Sequence, residues 1–254
     1  MELKNIIFEK QGAIGLITIN RPGVHNALNH EVYLELAGVT EHAKKDPEIR
    51  VVIVTGAGGK AFVAGADINI LTTLDTLSSW ENSRLYQSVL DGLERMGKPS
   101  IAAINGFCLG GGLELAMSCT MRISSENGKF GLPELALGFL PGIGGTQRLM
   151  RLVGRGKGAE LLLTARTIDA NEALRIGLVN DVVPAADLMP RAREMAEMIL
   201  KNGATAIGLA MHLILRGPEM SLDNALAFES ALSAVSFGSP DAAQRTKAFL
   251  ERKK

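Results

Sequence analysis

Two carboxylates hold the chemistry that this sequence could perform. Glu114 follows Gly110-Gly111-Gly112-Leu113, and Glu134 follows Phe130-Gly131-Leu132-Pro133, so each acid lies in an apolar, glycine-rich neighbourhood where a charge is costly without partners. Taken singly, each has an ordinary reading. An acid in the first turn of a helix gains about 0.3 to 1 kcal/mol from the helix dipole, and Pro at a first helical position with an acid beside it is a common helix start. Taken together they can do more. Two acids in partly desolvated sites have their proton affinities pushed apart, so that one accepts a proton while the other donates.

Two glycine-rich segments add a second ingredient. Residues 56–65 and Gly110-Gly111-Gly112 could each present a backbone N–H to one oxygen, and two converging donors are how an enzyme holds an enolate or a tetrahedral oxyanion. Gly111, at the mouth of the helix-forming run Leu113-Glu114-Leu115-Ala116-Met117, is the best donor. Glycines that merely turn the chain would look the same in sequence. Competing motifs are incomplete: neither Gly110-Gly111-Gly112 nor Gly142-Ile143-Gly144-Gly145 forms a G-x-G-x-x-G fingerprint, and no serine occupies a G-x-S-x-G elbow.

The elements that must position these groups follow from periodicity. Alternation over residues 6–20, broken at Gln11-Gly12, predicts a hairpin. Asn29 should cap a helix over 30–45. Val51-Val52-Ile53-Val54-Thr55 predicts a buried strand, a helix follows near 79–96, and residues 101–104 and 121–124 predict two further strands. Strand, glycine loop and helix thus recur at intervals of roughly 50 residues. Helical spacing then dominates near 156–164, 170–176, 185–201, 204–215, 221–235 and 240–251, with Leu178 to Val183 reading as a strand.

Composition removes several function classes. The 254 residues carry 27 Lys plus Arg against 27 Asp plus Glu, which leaves no field of the kind that draws a protein onto nucleic acid. The longest uncharged run, 99–113, is too short and too rich in glycine to span a bilayer, so no membrane partner is expected. His25, His30, His42 and His212 show no metal-ligand spacing. Cys108 and Cys119 each sit in apolar sequence and read as buried thiols, which, with an N-terminus unlike a targeting signal, points to the cytoplasm.

At this point the residues are more specific than their chemistry. Phe62-Val63-Ala64-Gly65-Ala66-Asp67-Ile68, then 104–116 from Ile104-Asn105-Gly106 to Glu114-Leu115-Ala116, then Phe130 to Glu134 with Pro141-Gly142-Ile143-Gly144-Gly145-Thr146-Gln147-Arg148-Leu149, closely resemble the crotonase (enoyl-CoA hydratase/isomerase) superfamily. The resemblance begins at Asn20-Arg21-Pro22 with Asn26-Ala27-Leu28 and extends to Ala248-Phe249-Leu250-Glu251-Arg252.

That resemblance implies an α/β fold, a spiral of ββα units over 1–200, followed by a helical trimerisation region over 201–254. It implies a homotrimer, or a homohexamer built as a dimer of trimers, that binds an acyl-CoA thioester and needs no cofactor, coenzyme A being part of the substrate. Ala64 and Gly111 match the oxyanion-hole amides, Glu114 and Glu134 the catalytic pair of the hydratases, and Ala64, Gly65, Ala66, Asp67, Ile68 and Gly111 the substrate-binding segments. His25, Phe249 and Arg252 match positions near CoA in the family. The expected activity is syn addition of water to a trans-2-enoyl thioester, in fatty acid or other acyl-CoA metabolism. Two alternatives stay open. Isomerases, thioester hydrolases and decarboxylases of this superfamily also exploit an enolate, and a catalytically silent member would bind RNA or protein instead.

Overall fold

The computed structural model describes residues 3–67 and 75–251. Strands β1 (Ile6–Gln11) and β2 (Ile14–Ile19) form the expected antiparallel hairpin, and β2 continues in parallel onto β3 (Val51–Gly56), β5 (Ser100–Ile104), β7 (Met121–Ser125) and β10 (Asp181–Val183). Strands β3 and β5 are buried at every position, as unbroken Val, Ile and Ala runs require when both faces of a parallel sheet are covered. A second sheet stacks four very short strands, β4 (Ala61–Val63), β6 (Phe107–Leu109), β8 (Lys129–Gly131) and β9 (Ile168–Asp169), in that order.

The two sheets are one spiral. Each turn lays a strand in the large sheet, the next strand in the small sheet, then returns through a helix or turn: β3 and β4 lead to α2 (Thr76–Glu94), β5 and β6 to α3 (Gly111–Ser118), β7 and β8 to the 3-10 turn Pro133–Leu137. The expected ββα spiral is therefore what the chain adopts. Helix α1 (His30–Lys45) closes the first turn, capped by Asn29, whose Oδ1 accepts from Val32 N at 3.0 Å.

Beyond the spiral, α4 (Gly145–Val153), α5 (Arg155–Thr164) and α6 (Ala170–Arg175) lead to β10, and α7 (Leu188–Leu200) lies across the outer face of the large sheet. There Leu188, Ala192 and Ala196, one turn apart, pack on Leu16, Ile53, Ile101 and Ile123. The main core fills the other face, between that sheet and α1, α2 and α3. Helices α8 (Ala204–Arg216), α9 (Leu222–Phe237) and α10 (Pro240–Glu251) complete the chain. Among the described residues no single helix is long and apolar enough to cross a membrane.

Three expectations need correction. The strand read over 178–183 shortens to Asp181–Val183, because the N–H groups of Leu178 and Val179 both donate to Ala173 O and so finish α6 instead of joining a sheet. The short strands of the second sheet escaped notice, since two or three residues are too few to display alternation. Helix α4 gives little signal in sequence, because it starts at the last residue of the run Gly142-Ile143-Gly144-Gly145.

Candidate active site

Helix α3 places the first acid. All eight of its residues are buried, so it runs through the core and not along the surface. Its N-cap, Gly110, has φ of +52°, a conformation L side chains rarely adopt, and a Cβ there would sit 2.8 Å from Glu134 Oε1. One turn into the helix, Glu114 is 1% exposed. Its Oε1 accepts two backbone hydrogen bonds, from Ile143 N at 2.8 Å and Gly145 N at 2.7 Å. Burial pushes the Glu114 carboxyl above its ordinary range, while the Gly145 and Ile143 amides and the Arg148 guanidinium pull it back. The result is a buried carboxylate with partners for its charge.

The second acid has the opposite environment. Glu134 stands in the 3-10 turn opened by Pro133, and its Oε2 is buried with no hydrogen-bond partner. Burial raises its pKa to about 7; its own backbone N–H opposes this, and the nearby Glu114 charge adds to it. Glu134 therefore holds its proton up to about pH 7, while Glu114, also raised by burial, has two amides and a guanidinium that favour its ionised form. The two carboxyls thus differ in their surroundings, Glu114 hydrogen-bonded through Oε1 and Glu134 without a partner at Oε2.

Both acids line one cavity of about 310 Å³, together with Tyr33, Ala66, Gly111 and Ile143. The oxyanion donors require a correction. Ala64 N donates to His25 O at 3.1 Å, so that hydrogen is already engaged within the fold and is not offered to a ligand. Two residues on, Leu28 N donates to Gly65 O at 2.9 Å and Asp67 N to Leu28 O at 2.8 Å, an isolated parallel bridge between Leu28 and Ala66 that leaves the Ala66 N–H unused. Ala66 N lies 3.9 Å from where a Cβ on Gly111 would project, and Gly111 occupies the first helical position, where N–H has no partner within the helix. Gly111 and Ala66 thus border the cavity with N–H groups that have no partner among the described residues.

Other anticipated residues scatter. Asp67 turns to Arg21, Oδ2 to Nη2 at 3.1 Å, and anchors the loop. Gly65 lines the cavity; His25 is exposed on a left-handed turn and Phe249 is exposed on α10, a position that the family resemblance directs to a neighbouring subunit's CoA and not to this cavity. Ile68 and Arg252 lie outside the described residues. Leu137, Phe139, Leu140, Gly142 and Ile143 also line the cavity.

Three contributors went unassigned in the sequence. Asn26, wholly buried at φ +59°, donates from Nδ2 to Ala57 O and Ala61 O and accepts from Arg21 N, all within 2.9 Å, so it organises the loops beneath the oxyanion donors. Tyr33 stacks on Tyr86 with ring centroids 3.9 Å apart. Arg148 joins Asp91 and Glu94 of α2, each at 2.7 Å, to Ile143 O at 3.0 Å. An arginine amid glycines and apolar residues was the available sign of that role.

Arg148 thereby pins the segment whose amides hold Glu114. Replacing it with Met keeps the aliphatic stem and frees that segment. We expect kcat for the proton-transfer reaction to fall about tenfold or more, since small misplacements of reacting groups are costly. The acid limb of the pH profile should also move to higher pH, because the cation that lowers the Glu114 pKa is gone. Steady-state rates from pH 5 to 9 test both outcomes.

Comparison with known proteins agrees with this geometry. Residues 9–254 match the family model described as Enoyl-CoA hydratase/isomerase. The chain is 48% identical to a short-chain-enoyl-CoA hydratase of Clostridium acetobutylicum, covering 100% of this chain and 97% of that one. It is 44% identical to a crotonyl-CoA hydratase of Syntrophomonas wolfei, covering 100% and 98%. The solved enoyl-CoA hydratase of Bacillus anthracis superposes with a TM-score of 0.95 at 37% identity, over 98% of this chain and 97% of that one. With the fold, the paired acids and the matched sequence in agreement, this chain belongs to the enoyl-CoA hydratase/isomerase family.

Proposed function

We propose that this protein is an enoyl-CoA hydratase, a hydro-lyase that adds water reversibly across the double bond of a trans-2-enoyl-CoA to give a 3-hydroxyacyl-CoA. The observation that carries this reading is the unequal treatment of the two acids: Glu114 accepts two amide hydrogen bonds, and Glu134, unpaired at Oε2, is raised to about 7. Gly111 N–H and Ala66 N–H hold the thioester oxygen. Drawing electron density onto that oxygen leaves C3 electron-poor. Glu114 takes a proton from water as its oxygen bonds to C3, and Glu134 delivers its proton to C2, the C2–C3 π electrons forming the new C–H bond. Dehydration is the same path reversed.

Loss of absorbance by crotonyl-CoA on addition of the protein, with 3-hydroxybutyryl-CoA as product, tests the reading. A protein that leaves crotonyl-CoA unchanged, or only shifts the double bond of a 3-enoyl thioester, is not this enzyme.

Short acyl chains suit the cavity. Helix α2 lines it with Ser79, Asn82, Ser83 and Tyr86, one helical face, and an alkyl tail laid there would desolvate hydroxyls and an amide. Each methylene laid against that face returns less than the roughly 0.8 kcal/mol of an apolar pocket, so only the part of the cavity walled by Leu137, Phe139 and Leu140 favours an alkyl chain. The names of the two curated relatives point the same way. Turnover across a series from four to twelve carbons should peak at the short end.

A trimer or a dimer of trimers is also inferred, with 201–254 as the assembly region. Supporting it, Ile214, Leu222, Leu226, Val235 and Phe237 are exposed apolar side chains on α8 and α9, with Phe237 at 82% exposure. The buried, unpaired Cys108 and Cys119 fit a reducing, cytoplasmic setting.

A further inference from the structure

Tyr33 is buried to 2% exposure on α1 and lines the same cavity as both acids, yet its hydroxyl has no hydrogen-bond partner. A buried hydroxyl left unpaired costs about 1 to 3 kcal/mol, and such groups call for a specific explanation. Its position is well determined. The ring stacks on Tyr86 at 3.9 Å with 11° between planes, and Tyr86 Oη meets His30 Nδ1 at 3.2 Å, so the aromatic pair is fixed from α1 and α2 together.

The hydroxyl borders the oxyanion donors. Tyr33 Oη lies 3.3 Å from the point where a Cβ on Gly111 would stand, and Ala66 N is 3.9 Å from that same point. Tyr33 Oη and Ala66 N, with Leu28 Cδ1 at 3.5 Å, therefore border one small space beside Gly111 that a side chain at position 111 would fill. Burial, reinforced by Glu114, Tyr86 and Glu134, pushes the Tyr33 phenol well above its usual range, so it keeps its proton and acts as a donor.

We infer that Tyr33 Oη is a third donor to the thioester carbonyl oxygen of the bound acyl-CoA, beside Gly111 N–H and Ala66 N–H. This rests on the reading of the site as a hydratase and adds a catalytic residue to it. A neutral phenol whose hydrogen bond strengthens as the carbonyl oxygen gains charge stabilises the enolate more than the ground state. Its removal should lower kcat more than it alters KM.

Tyr33→Phe tests this while keeping the ring, its volume and its stack on Tyr86. Hydration of crotonyl-CoA by Tyr33→Phe should fall about tenfold or more in kcat, with KM changed less than about threefold. The second readout is the absorption of bound 4-dimethylaminocinnamoyl-CoA, a chromophore that moves to the red as its carbonyl is polarised; Tyr33→Phe should reduce that red shift. An unchanged red shift overturns the proposal even if kcat falls, since the phenol would then act on water or on C3. Unchanged kcat overturns it as well. Should the unsubstituted protein fail to hydrate crotonyl-CoA at all, the hydratase reading falls, and that outcome is distinct from either result with the variant.

Discussion

Glu134→Gln should lower kcat for crotonyl-CoA hydration by about 10²-fold or more and leave KM nearly unchanged in steady-state assays. Gln keeps the size of the side chain and its place against Gly110 but cannot supply a proton to C2. Glu114→Gln should cost as much for the converse reason: an amide at that position cannot take the proton of the attacking water, although it can still accept from Ile143 N and Gly145 N. The two losses should not add in the double variant, because each alone already disables the same proton transfer.

The pH dependence has a definite sign. Hydration needs Glu114 ionised and Glu134 protonated, so kcat/KM should fall above about pH 7, where Glu134 loses its proton. On the acid side the limb lies above the ordinary carboxylate range, because burial raises Glu114. Dehydration starts from the same singly protonated pair with the proton on the other acid, so both directions share one bell. Stability responds too. Glu134 binds its proton more tightly folded than unfolded, so its contribution is present below the unfolded carboxylate pKa of about 4.3 and is lost as pH rises through about 7. Thermal melts of Glu134→Gln should show a flatter pH dependence across that window.

Gly112→Ala should be strongly destabilising, as at other core glycines that meet backbone at close range. A Cβ at Gly112 would overlap Val63 O and stand 2.7 Å from Val63 Cβ and 2.8 Å from Val63 C. Two of these atoms are backbone of β4, which cannot yield without parting α3 from the small sheet. Overpacking of this kind costs about 3 kcal/mol or more, or roughly 10 °C in Tm for a chain of this size. The contrast is Gly92→Ala on the exposed side of α2, where the added methyl meets nothing within 4 Å. That change should raise stability by about 0.5 to 1 kcal/mol through helix propensity. Paired melting curves decide whether close approach, and not glycine content, is what matters at 112.

What sequence revealed, and what it hid, follows the physics of each signal. The hairpin, α1 with its Asn29 cap, and the buried strands β3, β5 and β7 were legible because their apolar periodicity is local and long enough to count. The acids Glu114 and Glu134 were legible as charges in apolar surroundings, and Gly111 as a helix entrance. The donor opposite Gly111 was displaced by two residues, since whether Ala64 or Ala66 offers its N–H depends on the bond from Ala64 to His25 O and on the bridge to Leu28, and both partners are about 40 residues away along the chain. Arg148 and Tyr33 were obscure for a related reason. A guanidinium reaching across to α2 and a phenol stacked on Tyr86 acquire their meaning only from elements distant in sequence.

The hydrogen bonds to Glu114 come from amides 29 and 31 residues downstream. During synthesis, α3 leaves the ribosome before the segment that hydrogen-bonds its acid, so an emerging chain that ends short of residue 143 lacks both amide partners of Glu114. Such a chain must keep that helix hydrated or carry the acid protonated. Competence for the reaction is therefore acquired late, when Gly145 docks, and fragments truncated ahead of it should be unable to mature into enzyme.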